Sequence, residues 1–210
     1  LDNNWVTRGP IVEKFEKEWA KLSLSEFSVA VNSGTSADIA MLLSLYDFGA
    51  IRGKSEVIIP SLSFIATFNA ILAAGLVPVP VDIKRETLGI DIELIEKAIT
   101  PNTIAIMPVS LMGRPFEADI LEEICRRRGL YLLGDCCESH LCLYKNKPLE
   151  YWCDATTYSG YTAHLTFACQ FGSCNTNREN IAKIIRSIRN HGREENSLYF
   201  NHIRLGLNLQ

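Results

Sequence analysis

Apolar positions along this chain follow two spacings in turn: short continuous runs typical of buried strands, and repeats every three to four residues typical of amphipathic helices. The runs predict strands at 27–31, 56–60, 77–83, 102–110, 130–135, 154–159 and 171–177. The repeats predict helices at 11–22, 37–45, 61–75, 91–100, 117–129 and 178–192. Apolar strands that alternate with helices indicate an α/β fold, in which a mostly parallel sheet is covered by helices on both faces.

Proline and glycine residues mark the ends of several of these elements. Pro10 stands at the entry of the first helix, where a missing backbone N–H is tolerated. Gly75 ends the third predicted helix. The strand 77–83 contains two prolines that cannot donate ladder hydrogen bonds, so we expect it at an edge of the sheet.

Composition and charge argue against several classes of partner. The 210 residues are 47% hydrophobic and 21% charged, with a formal net charge of −3 and no basic run, so no nucleic acid partner is expected. No apolar stretch approaches the roughly 20 residues of a membrane-spanning helix, so no membrane partner is expected. The absence of a secretory signal favours the cytoplasm. Because the chain starts at Leu1 and stops in "LGLNLQ", we expect it to be an internal part of a longer protein.

The cysteines are expected to be structural. There are seven, including the adjacent pair Cys136 and Cys137, a pattern that indicates reduced thiols where no secretory signal is present. No CxxC pair occurs, and the "CQFGSC" spacing is a weak metal signal. We therefore interpret the cysteines as small buried hydrophobes and expect no metal site.

The first candidate site is the segment "NSGTSA", residues 32–37, which follows a strand and opens a helix. In parallel sheets, ligands bind at the carboxyl ends of strands and at the helix starts beside them. Gly34 permits a tight turn, hydroxyls are supplied by Ser33, Thr35 and Ser36, and the helix start supplies free N–H groups, which together suit a phosphate. An ordinary N-cap with turn residues explains the same pattern equally well.

Two further strand ends carry candidate groups. Phe64 lies at the start of the next predicted helix, where a core position is favoured over a platform that stacks on a flat cofactor. Asp135 ends the strand 130–135, and its carboxylate suits either a cationic ligand nitrogen or an ordinary turn. Glu138 and His140 follow within five residues, so polar groups cluster at this place.

Later in the chain, the stretch "YSGYTAHLTFACQFG" places a histidine among small and apolar residues. Ser159 ends a strand and supplies a further hydroxyl for a phosphate, and His164 follows five residues later. An imidazole, with a pKa of about 6.5, can transfer protons near neutral pH. His191, in "RNHG", lies at a helix C-terminus, where the helix dipole favours a capping imidazolium.

Taken in order, segments along nearly the whole chain resemble the DegT/StrS-type, PLP-dependent nucleotide-sugar aminotransferases. They include "VAVNSGTSADIAMLLSL", "EVIIPSLSFIATFNAILAAG", "LLGDCCESH", "DATTYSGYTAHLTF", "IRNHGR" and "LGLNLQ". The resemblance implies the aspartate aminotransferase architecture (fold type I, a three-layer sandwich) and a homodimer. Residues 1–210 would form the PLP-binding large domain. The C-terminal small domain, which carries much of the family's sugar recognition, would then be absent, so we expect these residues alone to be inactive.

The resemblance also implies a role for each residue of the site. Four residues would hold the phosphate of PLP or PMP: Gly34, Thr35, Ser36 and Ser159. Phe64 would stack on the pyridine ring, and Asp135 would pair with the protonated ring nitrogen. Glu138 would lie near the ring's 3-oxygen, where glutamine is usual in the family. Asn208 would reach the phosphate in a neighbouring subunit, and His191 is a further candidate.

His164 stands where members of the family usually carry the catalytic lysine. Imidazole cannot form the Schiff base from which ordinary transamination starts, although it can transfer protons. The same substitution is typical of a small branch that "DCCES" and "RNHG" also resemble, the 4-keto-6-deoxy-hexose 3-dehydratases. The resemblance thus implies removal of the C3 hydroxyl from a nucleotide-linked 4-keto-6-deoxy sugar, with an amino donor such as glutamate. The alternatives are a sugar aminotransferase of the same family and a non-catalytic relative that keeps the fold.

Three departures from the family pattern bear on this prediction. The segment 168–173, "ACQFGS", replaces a glycine-rich turn, and Phe171 in a tight turn predicts backbone strain. Gly134 stands where a glutamate usually precedes the ring-binding aspartate. Cys137 resembles a ligand of the iron–sulfur cluster in one dehydratase branch. The cysteine-rich run that would follow "NHG" in that branch is absent, so we expect no cluster.

Overall fold

The computed structural model describes residues 8–164, 170–194 and 199–210, and strands and helices alternate in it as predicted. Its helices are α1 (Pro10–Leu22), α2 (Gly34–Ser44), α3 (Ile65–Ala73), α4 (Ile92–Ala98), α5 (Ala118–Arg128) and α6 (Glu179–Arg189). Its strands are β1 (Phe27–Val31), β2 (Glu56–Pro60), β3 (Val77–Val81), β4 (Thr103–Ile106), β5 (Tyr131–Asp135), β6 (Leu143–Tyr144), β7 (Lys147–Pro148), β8 (Ala155–Ser159) and β9 (Gly172–Thr176).

Seven of the strands form one sheet in the order β1-β9-β8-β5-β4-β2-β3. Strand β9 runs antiparallel to both of its neighbours, whereas the other pairs are parallel, so the prediction of a mostly parallel sheet is confirmed. Strand β3 lies at an edge, as its prolines require. The central strand is β5, whose Leu133 is paired with Ala155 of β8. The sequence pattern does not predict the β6–β7 hairpin, because two-residue strands carry no periodic signal.

Helices cover both faces of this sheet and bury a separate apolar cluster on each. Neighbouring residues of a strand point to opposite faces, and in β5 Leu132 belongs to one cluster while Leu133 belongs to the other. The cluster around Leu133 includes residues of α2, α3 and α6. The cluster around Leu132 includes Trp19 of α1, Ile95 of α4 and Leu121 of α5. The three-layer α/β prediction is therefore confirmed.

A buried ion pair covers the free edge of β1. Arg189 at the end of α6 is paired with Glu16 of α1, and both side chains are almost fully buried. Glu16 also accepts a hydrogen bond from the backbone N–H of Ala30 (2.8 Å), and Arg189 donates one to the Ala30 carbonyl (2.7 Å). An edge strand exposes unpaired backbone groups that invite association. The ion pair satisfies both such groups at Ala30 and joins two helices to the sheet.

Two helix starts differ from the predicted ones in a way that shapes the site. Helix α2 begins at Gly34 rather than at residue 37, because Ser33 acts as its N-cap. Helix α3 begins at Ile65 rather than at residue 61, because Phe64 is its N-cap in extended backbone. Gly75, with φ of 77°, follows α3 as predicted. None of the helices in the described ranges is both long enough and apolar enough to cross a membrane.

Candidate active site

A cleft of about 310 Å³ lies at the carboxyl edge of the sheet, where β5, β8 and the starts of α2 and α3 meet. It collects most of the residues predicted from the sequence: Gly34, Thr35, Phe64, Asp135, Glu138, Ser159 and His164. Ser33, whose hydroxyl was also expected at this site, lines the cleft as well. The cleft further contains residues that the sequence did not single out for this site: Asp38, Thr67, Cys137, Tyr161 and Gln170. The rule that ligands gather at the carboxyl ends of parallel strands therefore predicted correctly which edge of the sheet carries the cleft.

The start of α2 presents hydroxyl and N–H groups to this cleft. The Ser33 hydroxyl accepts a hydrogen bond from the Ser36 backbone N–H (3.2 Å) and donates one to the Ser36 hydroxyl (3.0 Å). Both interpretations of the "NSGTSA" segment thus hold in part, because an N-cap is present and Gly34 and Thr35 line the cleft beside it. Ser36 does not line the cleft, since its hydroxyl is engaged by the cap.

Gly34 forms a close cradle with the end of β8. A methyl group added at Gly34 would lie 2.5 Å from Cβ of Ser159 and 2.8 Å from Sγ of Cys137. Real Cβ atoms essentially never approach other atoms so closely, so only glycine fits without displacing its neighbours. The close approach brings the N-terminus of α2, with its partial positive charge, beside the Ser159 hydroxyl, which is the chemistry of an anion-binding site.

Phe64 offers its ring to solvent at the mouth of the cleft. Its side chain is 62% exposed, so the core position that the sequence favoured is wrong. The physical reason is the extended backbone of an N-cap residue, with φ of −65° and ψ of 141°, which holds Phe64 outside the helical face that packs on the sheet. A ring exposed in this way at a cleft is available to stack on a flat ligand.

Asp135 is held in one orientation at the bottom of the cleft. It is the last residue of the central strand and is 5% exposed. One carboxylate oxygen accepts a hydrogen bond from the Thr67 hydroxyl (2.6 Å), and the other accepts one from the Cys137 backbone N–H (3.1 Å). Donors to both oxygens favour the ionised carboxylate, so a fixed negative charge is available to a cationic group of a ligand.

Asp38 is a second buried carboxyl in the cleft that the sequence analysis missed. It lies one turn into α2, and the Thr157 hydroxyl donates a hydrogen bond to it (2.6 Å). Burial raises the pKa of Asp38 well above its usual value, and the negative charge of Asp135 raises it further. A sequence signal was present, because Asp38 is the acidic residue of an otherwise apolar helix and stands four residues after Gly34.

Ser159 and His164 lie on the other side of the cleft. The buried Ser159 hydroxyl accepts a hydrogen bond from the Tyr161 backbone N–H (3.2 Å). Nδ1 of the half-buried His164 lies 3.3 Å from the Ser159 carbonyl oxygen, and its ring contacts the Tyr161 ring edge-on, with centroids 5.5 Å apart. Because a carbonyl oxygen only accepts, Nδ1 carries a proton in this contact, and the neutral form of the ring therefore has its lone pair on Nε2.

Glu138 joins the cleft to a second, shallower one. One of its carboxylate oxygens accepts a hydrogen bond from the backbone N–H of Met112 (3.1 Å). Met112 has a left-handed backbone with φ of 51°, uncommon for this residue type, and this bond helps to hold it. The second cleft, of about 440 Å³, is lined by Met112 and by Phe64, Glu138, Tyr161 and His164, residues that also line the first.

Beyond the cleft, the "ACQFGS" segment is described only from Gln170 onward, so Cys169 lies outside the described residues. Phe171 packs edge-on against Phe15 and Trp19, with centroids 5.2 and 5.7 Å away. Its backbone is not left-handed, so the predicted strain is wrong: the residue extends the β8–β9 pairing instead of forming a tight turn. His140 packs in the same aromatic cluster against Trp19 and does not line the cleft, and burial lowers its pKa.

Besides Ser36, two predicted residues are not brought to this cleft. His191 is exposed just after α6, with a left-handed φ of 60°, and its carbonyl accepts a hydrogen bond from the His202 ring (2.9 Å). Asn208 is exposed and bridges to Asn190. The chain therefore builds the cleft without His191, and the role of Asn208 in a neighbouring subunit stays a prediction.

The fold and the site together define a class of protein. A three-layer α/β fold that brings a helix start, an exposed ring and a buried carboxylate to the carboxyl edge of its sheet has the architecture of PLP-dependent fold type I enzymes. The chain belongs to the DegT/DnrJ/EryC1/StrS aminotransferase family, whose family model matches residues 1–210. The resemblance drawn from the sequence is thus confirmed.

Relatives within this family carry two different activities. The GDP-4-keto-6-deoxy-D-mannose 3-dehydratase of Yersinia pseudotuberculosis is 33% identical over 205 residues, covering 97% of this chain and 52% of that protein. The dTDP-3-amino-3,4,6-trideoxy-alpha-D-glucose transaminase of Streptomyces venezuelae is 35% identical over 193 residues, covering 91% of this chain and 50% of that protein. The chain therefore spans about half the length of these curated relatives.

A solved structure shows the same fold. It is the crystal structure of GDP-4-keto-6-deoxymannose-3-dehydratase with a trapped PLP-glutamate geminal diamine. It matches this chain with a TM-score of 0.90 at 28% identity, over 100% of this chain and 59% of that one. The fold type I prediction is confirmed by this agreement.

Proposed function

We propose that the protein is a PLP/PMP-dependent enzyme of nucleotide-sugar biosynthesis that removes the C3 hydroxyl of a nucleotide-linked 4-keto-6-deoxy hexose. The observation that carries the proposal is His164, which lines the cleft at the position where the family usually has a lysine. An imidazole there can move protons but cannot tether the cofactor covalently. Elimination is therefore favoured over ordinary amino transfer.

The residues present fit the phosphate and the ring of this cofactor. The start of α2 and the Ser159 hydroxyl form a cradle for a phosphate, closed so tightly that a methyl group at Gly34 would fill it. The exposed ring of Phe64 would stack on the pyridine, and the carboxylate of Asp135 would pair with the protonated ring nitrogen. When bound, PMP supplies an amine that condenses with a ketone and a ring that stores electrons.

His164 would then hold and move the protons of the reaction. Its Nδ1–H is directed to the Ser159 carbonyl, so Nε2 is the atom that accepts a proton from the reacting carbon and later returns it to the leaving hydroxide. Glu138 would lie near the ring's 3-oxygen while its second oxygen holds the Met112 backbone. The adjoining cleft of about 440 Å³ shares Phe64, Glu138 and His164 with the first, so it has the place and the polar groups for the hexose.

Several parts of the proposal concern the whole protein. We propose a homodimer in which Asn208 completes a neighbouring site, glutamate as the amino donor, and a cytoplasmic location. Residues 1–210 would be the cofactor-binding large domain, and a small domain outside this chain would complete sugar recognition. The similarity to the Streptomyces transaminase supports a second candidate, a sugar aminotransferase altered by His164.

The test is a cofactor-trapping experiment on the purified full-length protein, which would include the small domain. We expect PMP or PLP to bind with a visible absorbance band, and borohydride treatment to leave no covalent adduct by mass spectrometry. A His164→Lys variant places an amine at that site and is expected to gain the reducible adduct. With a nucleotide 4-keto-6-deoxy sugar and glutamate, a 3-deoxy product and ammonia support the proposal. An aminosugar product supports the second candidate, and absence of cofactor uptake refutes both and favours a non-catalytic relative.

A further inference from the structure

Two carboxyl groups meet in the buried part of the cleft. Asp38 and Asp135 are 1% and 5% exposed, and their carboxylate oxygens lie within 4.8 Å of one another and of the Cys137 sulfur. No Lys or Arg is among the described residues that line the cleft. Two like charges so close, buried and without a cationic partner, cannot both persist at neutral pH. The pair therefore keeps one proton.

The hydrogen bonds decide which of the two carboxyls holds that proton. Asp135 accepts from two donors, one at each oxygen: the Thr67 hydroxyl (2.6 Å) and the Cys137 backbone N–H (3.1 Å). Asp38 accepts from one donor, the Thr157 hydroxyl (2.6 Å). Because each donor stabilises the ionised form, the negative charge belongs on Asp135 and the proton on Asp38.

Two thiols border Asp38, and neither alters this assignment. Cys137 follows β5, and Cys174 of β9 lies on the sheet face that α2 covers. Burial raises the pKa of both thiols, and the negative charge of Asp135 raises the pKa of Cys137 further. Both therefore stay neutral, and they add no charge beside Asp38.

The remaining charged groups near α2 are engaged elsewhere or lie in the open cleft. Arg189 of α6 is committed to its buried ion pair and to a backbone carbonyl. Strand β8 faces Asp38 with the Thr157 hydroxyl, and helix α3 faces Asp135 with the Thr67 hydroxyl, so neither brings a charge to the pair. Glu138, Tyr161 and His164 are the other titratable residues among the described residues that line the cleft. No described neighbour thus supplies Asp38 with a compensating cation.

We infer that Asp38 is a positioning residue that keeps its carboxyl proton, so that the pair presents a single negative charge, on Asp135, to the cationic ring nitrogen of the cofactor. This inference rests on the proposed function for the identity of that nitrogen. The single negative charge of the carboxyl pair then balances the single positive charge of the pyridinium. An ionised Asp38 would add a second negative charge to a pocket that holds one cation.

The test measures thermal unfolding of the cofactor-free protein between pH 4 and pH 8, as wild type, Asp38→Asn and Asp135→Asn. A carboxyl that stays protonated in the folded state contributes stability below its unfolded pKa and loses it as pH rises. The melting temperature of Asp38→Asn minus that of wild type should therefore be higher at pH 7.5 than at pH 4, by about 3 °C or more. The wild-type melting temperature should decline as pH rises, and Asp135→Asn should show most of the same decline, since Asp38 remains buried in this variant. General damage from a substitution shifts the whole curve and leaves its slope unchanged.

Two results would overturn the inference. One is parallel pH curves for wild type and Asp38→Asn, which would show an ionised Asp38. The other is a decline of the melting temperature with rising pH that is absent in Asp135→Asn and still present in Asp38→Asn. That result would put the proton on Asp135. In a PMP titration at pH 7.5, Asp38→Asn should bind within about threefold of wild type, and Asp135→Asn at least about tenfold more weakly. Failure of wild type to bind PMP would refute the proposed function. The assignment of the proton to Asp38 would still be tested by the unfolding curves, because they are measured without cofactor.

Discussion

Replacement of Gly34 by alanine is the sharpest test of the phosphate cradle. The added methyl carbon would lie 2.5 Å from Cβ and 2.9 Å from Oγ of Ser159, and 2.8 Å from Sγ of Cys137. The Ser159 Cβ atom is bonded directly to the backbone of β8, a strand in the interior of the sheet, so no rotamer change relieves the contact. Either α2 or the end of β8 must move, and both border the cleft.

The size of the effect follows from this overlap. Overpacking a well-packed site costs about 1–3 kcal/mol, and in a chain of this length each kcal/mol lowers the melting temperature by about 2–4 °C. We therefore expect Gly34→Ala to melt about 2–12 °C below wild type. The displaced hydroxyl and N–H groups should also weaken PMP binding by about tenfold or more, because anion binding at a helix start depends on their alignment.

The assay is thermal unfolding followed by circular dichroism, together with a PMP titration followed by absorbance. Gly89→Ala is the matched control, since a methyl group there would meet its nearest atom, the Thr87 hydroxyl, at 3.6 Å and the backbone is not left-handed. It should melt within about 2 °C of wild type and bind PMP normally. Equal melting temperatures and equal PMP affinities for Gly34→Ala and wild type would refute the close-approach argument.

Three further predictions concern other parts of the molecule. Arg189→Met should cost about 3–5 kcal/mol in urea unfolding, because it leaves the Glu16 carboxylate buried and unpaired; adding Glu16→Gln should recover part of the loss, and no recovery would contradict the pairing. Phe64→Ala should change stability by less than about 0.5 kcal/mol, since the ring is exposed, yet weaken PMP binding about tenfold; the buried control Phe116→Ala should instead cost about 3–5 kcal/mol. Burial lowers the pKa of His140, so the stability that this residue contributes should be lost as pH drops below about 6.5, opposite in sign to the contribution of Asp38; a Tm difference between wild type and His140→Phe that stays constant from pH 5 to 7.5 would contradict this.

Much of the cleft could be found from the sequence, because each predicted residue that lines it stands at the end of a strand or within five residues after it. The carboxyl ends of parallel strands converge, so Gly34, Asp135 and Ser159 were expected together before any contact was known. The errors arose where tertiary packing sets exposure. Phe64 is apolar and looked like a core residue, yet its N-cap backbone holds it in solvent.

The sequence by itself determined the order and type of the elements, the parallel character of the sheet and the edge that carries the site. These follow from local spacing and from single residues such as prolines, which act within a few positions of themselves. Only the tertiary structure decided the contacts between distant positions. Thr157 donates to Asp38 across 119 residues of chain, and Arg189 pairs with Glu16 across 173. Such pairs leave no periodic trace, because the energy of a buried charge depends on what surrounds it in space and not along the chain.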